Sequence, residues 1–309
     1  MKILILGAGA IGGYVGGRLH QSGADVTFLV RPARHEVLER DGLVIKSTKG
    51  DITQKVKAIT KVDGPYDVVL LTCKAYDLDS AMEAIAPAVG AGTTVVPLLN
   101  GMRHLDVLDK RFGAGKVVGG LARVGVAMND KGWILHTSPF AMISFGERDG
   151  KPPRDALTAL DAAMKKAGVD GGLNNKIVQD LWDKWIMLCT LAATCCLMRA
   201  ASGDILEAED GRAIVLETVD EARKVAAAAG HDPGAKGTET IQSFLTVKGS
   251  KFAASMLHDL EKGAMVEADH IVGDMIARAK KAGIATPNLR MAYAHLQVYL
   301  HKRAQKKAA

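Results

Sequence analysis

The sequence begins, after Met1, with Lys2-Ile3-Leu4-Ile5-Leu6-Gly7-Ala8-Gly9-Ala10-Ile11-Gly12-Gly13, a segment that indicates the fold of the residues that follow it. Its apolar run predicts a short buried strand, and the residues that follow it, Tyr14 to His20, predict a helix. Between them, Gly7 permits a tight turn, Gly9 lets a phosphate approach the backbone, and Gly12 lets the helix pack on the strand. The sequence therefore predicts a dinucleotide site at a helix N-terminus. The alternative is a glycine-rich turn in another kind of α/β protein.

The composition narrows the class of protein. A chain of 309 residues with 48% hydrophobic content is long enough for two domains with a substantial core. The net charge of +6 suits an anionic cofactor and an anionic substrate. Aromatic residues make up 5% of the chain and are not interleaved with a basic patch, so we expect no binding to nucleic acid.

The cysteines and the longest apolar run argue for a cytoplasmic protein. Cys189, Cys195 and Cys196 share one apolar run, which predicts small buried thiols, and no spacing in the chain is typical of a metal site. Reduced thiols fit the cytoplasm. The apolar run from Trp185 to Met198 is shorter than the roughly 20 residues that a transmembrane helix needs. It therefore predicts a buried core helix, and we expect no membrane.

Arg31 indicates which nicotinamide cofactor the site prefers. It follows the second predicted strand, Asp25 to Val30, where NAD-preferring sites usually place an acidic residue for the ribose hydroxyls. An arginine there can instead bind the 2′-phosphate of NADP, and Arg34 is near enough in sequence to help. The alternative is that Arg31 is an ordinary surface residue.

Two more polar residues follow buried strands. Lys74 comes after the strand Tyr66–Thr72, and Asn100 comes after the strand Thr93–Leu99. Because ligands of open α/β sheets bind at the carboxyl ends of strands, Lys74 is a candidate for the phosphates or ribose. Asn100 is a candidate for the nicotinamide ribose or a substrate carbonyl. Lys74 is equally well explained as a solvated lysine that opens a helix, and Asn100-Gly101 as a simple turn.

The remaining pattern predicts an α/β Rossmann-like domain over residues 1–171 and an all-α domain over 172–309. Runs at Leu43–Lys46 and Ile52–Val56 predict a hairpin added to the doubly wound pattern, and Gly168–Gly172 is the predicted domain boundary. Predicted helices follow it at Asn175–Met198, Asp210–Gly230, Pro233–Leu245, Met256–Ala282 and Pro287–Lys302.

The helical part contains two candidates for proton chemistry. Lys184 opens the apolar run, and Glu267 lies among other ionisable residues. A lysine beside apolar neighbours can protonate a developing alkoxide while a nicotinamide delivers hydride to the carbonyl carbon. Taken alone, each is more simply explained as a solvated side chain.

Five motifs in order make the chain resemble the ketopantoate reductase family, the 2-dehydropantoate 2-reductases, over almost its whole length. The motifs are Gly7–Gly13, Thr72-Cys73-Lys74-Ala75-Tyr76, Leu98-Leu99-Asn100-Gly101-Met102, Trp182-Asp183-Lys184, and Ser255-Met256-Leu257-His258-Asp259 followed by Glu267. The resemblance implies NADPH-dependent reduction of a 2-oxo acid, most simply 2-dehydropantoate, with the helical domain serving the substrate and a homodimer left open.

The resemblance also implies roles for single residues. Gly7 to Gly12, including Ala8, Ala10 and Ile11, would hold the pyrophosphate, and Arg31 would meet the 2′-phosphate. Lys74 and Asn100 would border the nicotinamide half, with Asn100 also able to touch substrate. Lys184 would be the general acid, Ser255 would bind the substrate carboxylate, and Glu267 would orient the substrate hydroxyl, the cofactor ribose or Lys184.

The chain departs from the family at the substrate. Family members with established ketopantoate sites carry asparagines four and eight residues after the lysine, where this chain has Leu188 and Ala192; a third aligns with Ser202. Thr190, Thr194 and Arg199 are the nearby polar candidates, and Thr194 and Arg199 are predicted to bind substrate. A pocket that loses two amides should accept a different 2-oxo acid.

Two other functions fit part of the pattern. A dehydrogenase of the hydroxyisobutyrate or phosphogluconate type shares a Rossmann domain and a catalytic lysine, but its glycine-rich substrate loop is not evident here. A non-catalytic NADPH sensor would keep Gly7 to Gly12 and Arg31 without needing Lys184.

Overall fold

The computed structural model describes residues 1–308, and every side chain among them except those of residues 139, 307 and 308. The described residues form two compact units. The first unit comprises Met1–Leu99 and His104–Val178, and the second comprises Asn100–Arg103 and the chain from Gln179 onwards. The chain thus leaves the first unit after Val178, whereas the predicted boundary followed Gly171.

The first unit contains the strands and five of the α-helices. The strands are β1 (Lys2–Leu6), β2 (Asp25–Leu29), β3 (Leu43–Ser47), β4 (Ile52–Gln54), β5 (Lys57–Ile59), β6 (Val68–Leu71), β7 (Thr94–Pro97), β8 (Gly119–Met128), β9 (Ile134–Gly146) and β10 (Asp170–Leu173). The helices are α1 (Ala10–Gln21), α2 (Pro32–Asp41), α3 (Leu78–Ile85), α4 (Arg103–Phe112), whose first residue groups with the second unit, and α5 (Asp155–Lys166).

A parallel sheet carries the glycine motif. Its strand order is β5-β2-β1-β6-β7, and all four of its pairings are parallel. The chain moves from β1 to one side through β2 and then returns to the other side of β1 with β6. The carboxyl ends of β1 and β6 therefore form the switch point at which doubly wound sheets bind their ligands.

A second sheet in the same unit differs from the prediction. β3 and β4 form the expected antiparallel hairpin, but β3 pairs with β9 in a sheet of order β10-β9-β3-β4, and β8 pairs with β9. The predicted boundary, Gly168–Gly172, instead runs into β10, which pairs in parallel with β9. Gly171 and Gly172 both have positive φ angles, which explains why this strand looked like a linker in the sequence.

Helix α1 packs against both sheets of the first unit. A Cβ on Gly16 would lie 2.5 Å from Ile5 of β1 and from Phe28 of β2. A Cβ on Gly17, one position further on, would lie 2.5 Å from Ile45 of β3. Both contacts are closer than carbon atoms approach in proteins, so the helix can occupy this position only because these residues lack side chains.

The second unit is helical. Its α-helices are α6 (Ile177–Met198), which begins in the first unit, α7 (Ser202–Ile205), α8 (Gly211–Ala228), α9 (Gly234–Leu245), α10 (Ser255–Glu261), α11 (Asp274–Lys281) and α12 (Pro287–Ala308). The predicted fold class, a Rossmann-like domain followed by an all-α domain, is therefore confirmed.

The predicted helix from Met256 to Ala282 is broken in the structure. Helix α10 ends at Glu261, and Gly263 follows with a φ of 68°. The Ala264 N–H donates to the carbonyl of Asp259 at 2.8 Å, which closes the helix end with glycine in the left-handed conformation. The chain resumes as a π-helix at Asp269–Gly273, which continues directly into α11.

Helix α6 is the core helix of its unit. Its length and hydropathy would allow it to cross a membrane, but 72% of its most apolar window is buried inside the protein, as in the core helix of a soluble domain. The three cysteines on α6 are buried free thiols, as predicted. Burial raises the pKa of the Cys196 thiol to about 12, so it stays protonated and unreactive at neutral pH.

Candidate active site

The glycine turn between β1 and α1 presents backbone N–H groups. Gly7 has a φ of 95°, and its N–H donates to the carbonyl of Leu29 at 2.9 Å. Gly9 is the N-cap of α1, a Cβ there would meet nothing within 4 Å, and no side chain of the described residues caps the helix. The first N–H groups of α1 are therefore left for a ligand, and the open space at Gly9 fits a pyrophosphate.

Thr72 fixes this turn to the neighbouring strand. It follows β6, and its Oγ1 donates to the carbonyl of Leu6 at 2.7 Å. A Cβ on Gly12 would collide with Thr72 Oγ1 and with the carbonyl oxygen of Gly7. The sequence motif contains Thr72, but its role as a brace was not predicted, because it depends on the pairing of β1 with β6.

Arg31 follows β2, as predicted, and forms an ion pair with Asp77 that was not predicted. It is the N-cap of α2, and its side chain is 73% exposed. Its Nη2 lies 2.8 Å from Oδ1 of Asp77, the last residue of a 3-10 turn, Ala75–Asp77, beyond β6. The hydrogen bond and charge of Asp77 raise the pKa of Arg31. Asp77 was not singled out from the sequence, because its contact with Arg31 joins positions 46 residues apart.

Arg34 and Lys74 complete the polar groups around the turn. Arg34 Nε donates to the carbonyl of Ala8 at 3.0 Å, and its Nη2 is buried with no hydrogen-bond partner among the described residues. Burial lowers the pKa of Arg34. Lys74 is half-buried and is the N-cap of the 3-10 turn that carries Asp77. Arg34 therefore binds the backbone of the glycine turn at Ala8, while the side chain of Arg31 remains exposed.

In the second unit, the structure brings Lys184 and Asn100 together. Lys184 lies on α6, its residue is only 9% exposed, and its Nζ donates to Oδ1 of Asn100 at 2.8 Å. Asn100 belongs to this unit, although the residues just before it, up to Leu99, belong to the first unit. A buried ammonium group thus has a neutral amide as hydrogen-bond partner. The contact joins positions 84 residues apart, which no local pattern indicates.

The π-helix contacts the residues that follow Lys184 and Asn100 in the chain. Trp185 Nε1 donates to the carbonyl of Ile271 at 2.9 Å, and a Cβ on Gly101 would lie 3.0 Å from His270. The residue after Lys184 and the residue after Asn100 therefore both pack against the π-helix. Short π-helical segments recur at functional sites. Burial lowers the pKa of His270, so its imidazole is neutral at pH 7. His270 was not singled out from the sequence.

Glu267 is buried just before the π-helix, at 8% exposure. Its carbonyl accepts a 3.0 Å hydrogen bond from the N–H of Ile271, which ties its backbone to the π-helix. The burial excludes the simpler explanation of Glu267 as a solvated side chain, and 9% exposure excludes it for Lys184 as well.

The face of α6 beyond Lys184 is apolar. Leu188 is half-buried and Ala192 is buried, one and two turns after the lysine. Thr194 Oγ1 donates to the carbonyl of Thr190 at 2.9 Å, so its proton serves the helix backbone. The buried hydroxyls of Thr190 and Ser202 have no hydrogen-bond partner among the described residues.

The other two predicted substrate residues are exposed. Arg199 follows α6 with a φ of 56°, and Ser255 is the first residue of α10. Among residues 1–308 no cluster of histidine, cysteine or acidic side chains could hold a metal ion.

The fold and its polar groups define a class of enzyme. A doubly wound sheet with a glycine turn and an arginine at its carboxyl ends, followed by helices with a buried lysine, is the architecture of a nicotinamide-dependent oxidoreductase. The family model of ketopantoate reductase PanE/ApbA matches residues 3–150, and that of its C-terminal domain matches residues 176–300. The chain therefore belongs to the ketopantoate reductase family.

Individual relatives agree over the full length. An uncharacterized oxidoreductase of Bacillus subtilis strain 168, YkpB, is 36% identical over 97% of this chain and 99% of its own. The crystal structure of 2-dehydropantoate 2-reductase from Geobacter metallireducens has a TM-score of 0.88 at 29% identity and covers 96% of this chain and 99% of its own. D-mandelate dehydrogenase, solved with NADH and anilino(oxo)acetate, shares the fold with a TM-score of 0.87 at 22% identity, covering 98% and 100%.

Proposed function

We propose that the protein is an NADPH-dependent reductase of a small branched 2-oxo acid, with 2-dehydropantoate as the first substrate to test. The observation that carries the proposal is the hydrogen bond between buried Lys184 and half-buried Asn100 in a chain that also has the glycine turn. A sensor of NADPH would need the turn but not a buried ammonium group.

The first unit supplies the groups that would hold the cofactor. The backbone of Gly7 to Gly12, with the N-terminus of α1, suits the pyrophosphate because the helix end is uncapped among the described residues. Arg31 suits the 2′-phosphate, and Lys74 suits a neighbouring phosphate or ribose oxygen. When bound, the cofactor supplies a hydride to the carbonyl carbon.

Lys184 would supply the proton in this reaction. Negative charge develops on the carbonyl oxygen, and Nζ of Lys184 would donate a proton to it. The hydrogen bond from Nζ to Asn100 Oδ1 supports this role because it orients the side chain. Asn100 is also a candidate contact for substrate and cofactor. We assign to Glu267 the orientation of the substrate hydroxyl, the cofactor ribose or Lys184. We assign to Ser255 the substrate carboxylate, and we keep Thr194 and Arg199 as further substrate candidates.

The apolar face beyond Lys184 shapes the choice of substrate. Leu188 and Ala192 offer no hydrogen bond to a hydroxyl on the substrate side chain. A site that does not pair a hydroxyl discriminates weakly for it. We therefore expect weak turnover of 2-dehydropantoate and comparable turnover of its deoxy analogue, 3,3-dimethyl-2-oxobutanoate.

A panel of 2-oxo acids tests the proposal through NADPH oxidation at 340 nm. The panel contains 2-dehydropantoate, its deoxy analogue, 3-methyl-2-oxobutanoate and the aromatic phenylglyoxylate. Steady oxidation with a branched member, absent in the Lys184→Ala variant, is the expected result. No oxidation with any member would favour the sensor. Strong selectivity for 2-dehydropantoate over its deoxy analogue would instead show that Thr190, Thr194, Ser202 or Arg199 replaces the missing amides.

The setting of the enzyme is also part of the proposal. The four cysteines are free, which supports a reducing, cytoplasmic compartment. A homodimer is the proposed assembly. Light scattering of the purified protein distinguishes it from a monomer of 32.7 kDa.

A further inference from the structure

The contact between Arg31 and Asp77 places a carboxylate on the group proposed to meet the 2′-phosphate. The Nη2–Oδ1 distance is 2.8 Å, and the two side chains are 73% and 32% exposed. Both residues follow strands of the parallel sheet at their carboxyl ends, Arg31 after β2 and Asp77 after β6. The pair therefore lies where a doubly wound sheet receives the adenosine half of its ligand.

A carboxylate at this position affects the two nicotinamide cofactors in opposite ways. A 2′-phosphate is an anion that needs the guanidinium of Arg31, so it competes with Asp77 for the same donors and is repelled by it. The ribose diol of NADH carries two O–H donors, for which a carboxylate is the usual acceptor in dinucleotide sites. Asp77 thus penalises the phosphorylated cofactor and suits the unphosphorylated one.

We infer that Asp77 narrows the preference of this enzyme for NADPH: by occupying Arg31 it weakens NADPH binding, and it supplies an acceptor for the ribose of NADH. This inference rests on the proposed function only in taking Gly7–Gly12 and Arg31 as the cofactor site. It predicts an enzyme that still favours NADPH, because Arg31 is present, but by a narrow margin.

Asp77 has no evident structural duty that would explain the contact. Its side chain does not cap α3 by any hydrogen bond among the described residues, and its backbone carbonyl accepts from Ser80 Oγ at 2.9 Å whatever its side chain is. Replacement by asparagine keeps the size of the side chain and removes the charge.

Arg34 is less accessible to a ligand than Arg31. Its Nε is engaged by the carbonyl of Ala8 at 3.0 Å, and its Nη2 is buried. Of these two cations near the glycine turn, the exposed Arg31 is the one whose partner can be exchanged for a ligand. A carboxylate that holds Arg31 therefore acts directly on selectivity.

Direct binding measurements test the inference without reference to turnover. We would titrate the purified full-length protein with NADPH, NADH, 2′,5′-ADP and 5′-AMP by isothermal calorimetry and follow the two dinucleotides also by fluorescence. The last two ligands isolate the 2′-phosphate from the nicotinamide. The variants are Asp77→Asn, Arg31→Ala and the double variant. Asp79→Asn is the matched control, since it removes the same charge two residues further on, at an exposed position of α3.

We expect Asp77→Asn to tighten binding of NADPH and of 2′,5′-ADP by about five- to tenfold, the size of a released surface ion pair plus one like-charge repulsion. The affinities for NADH and 5′-AMP should be unchanged or weaker. Asp79→Asn should change no affinity by more than about twofold, and the gain for 2′,5′-ADP should shrink in the Arg31→Ala background.

Equal effects of Asp77→Asn on phosphorylated and unphosphorylated ligands, or effects matched by Asp79→Asn, would overturn the inference. If the wild-type protein binds neither dinucleotide, the proposed function fails together with it. If wild-type protein binds both and the ratio does not move in Asp77→Asn, only the role of Asp77 fails.

Discussion

The candidate cofactor site of the first unit consists mainly of backbone groups, whereas the candidate reactive groups of the second unit are side chains. In the first unit, the candidate cofactor site is mainly backbone: no side chain among the described residues caps the N-terminus of α1, and the space at Gly9 is open. In the second unit, the candidate reactive groups are side chains from separate parts of the chain: buried Lys184 and Glu267, and half-buried Asn100. A backbone site is damaged by adding atoms, whereas a side-chain site is damaged by removing them.

The comparison is tested most severely by Lys184→Ala. If the second unit provides chemistry and the first provides binding, loss of the ammonium group should lower kcat by about 10²–10⁴-fold, the usual contribution of a general acid. The NADPH dissociation constant should barely change. The measurements are initial rates on the best substrate of the panel and calorimetric titration of NADPH.

Lys224→Ala controls for the loss of a lysine in the same unit. Lys224 is exposed on α8, where it pairs with Asp220, so its removal should leave kcat unchanged. Near-normal kcat in Lys184→Ala would exclude the assigned role, and a collapse of NADPH affinity would reassign Lys184 to the cofactor.

Gly16→Ala tests whether the first unit is damaged by added atoms, because it places one methyl group in the contact between α1 and the parallel sheet. Alanine ordinarily stabilises a helix relative to glycine by about 1 kcal/mol. At Gly16 the new Cβ would lie 2.5 Å from Ile5 and Phe28, and overpacking of a core costs about 1–3 kcal/mol. We expect a net loss of up to about 2 kcal/mol in the free energy of unfolding, measured in urea.

Gly9→Ala is the counterpart in open space. Its Cβ would meet nothing within 4 Å, so stability should be kept while NADPH binding weakens, because the methyl group points where the phosphate is expected to approach. Equal stability of the two variants would contradict the close packing of α1 between the sheets.

The contrast between local and distant contacts explains what the sequence could predict. The glycine turn, the strand after it and Arg31 depend on neighbouring residues, and the structure has them at the predicted positions. The hairpin of β3 and β4 was predicted, but its pairing with β9 in a second sheet, the strand β10 and the break at Gly263 were not. Their formation depends on partners such as β9, which local periodicity does not identify.

The same limit applies to the candidate site. The family motif pointed to Lys184 and Asn100, but their 2.8 Å contact could not be derived from spacing. Asp77 was overlooked because its meaning comes only from Arg31, a residue 46 positions earlier. Gly12 was predicted to let α1 pack on the strand, but no role was predicted for Gly16 and Gly17, which face strands of two different sheets.

Arg31→Ala tests the contribution of a side chain to the cofactor site of the first unit, which otherwise consists mainly of backbone groups. A charge-assisted contact to the 2′-phosphate is worth about 1–3 kcal/mol, and partial exposure places this one near the lower end. We expect NADPH to bind about tenfold more weakly and NADH to bind as before. Arg40→Ala, an exposed arginine of the same helix α2 that pairs with Asp41, is the control. Equal affinity of the wild-type protein for both cofactors would defeat the prediction.

The smallest expected effect is a loss of stability of the second unit at acidic pH. Burial lowers the pKa of His270, against the opposing charges of Glu267 and Asp274 and with the help of Arg103 and Arg278. The unfolded chain, with an ordinary histidine pKa near 6.5, therefore binds more protons than the folded one below that pH. Stability should be constant with respect to His270 above about pH 6.5 and should fall as the pH drops towards the pKa of the folded state.

Tryptophan fluorescence can follow this loss in the second unit alone. The chain has three tryptophans, and Trp182 and Trp185 lie in that unit, with Trp185 bonded to the π-helix. In a Trp133→Phe background, urea unfolding between pH 5 and 7.5 should lose at most about 1.4 kcal/mol per pH unit to His270. His270→Gln should flatten the slope below pH 6.5. An unchanged slope would mean that other groups govern the acid sensitivity and that the neutral imidazole is not required behind Asn100 and Lys184.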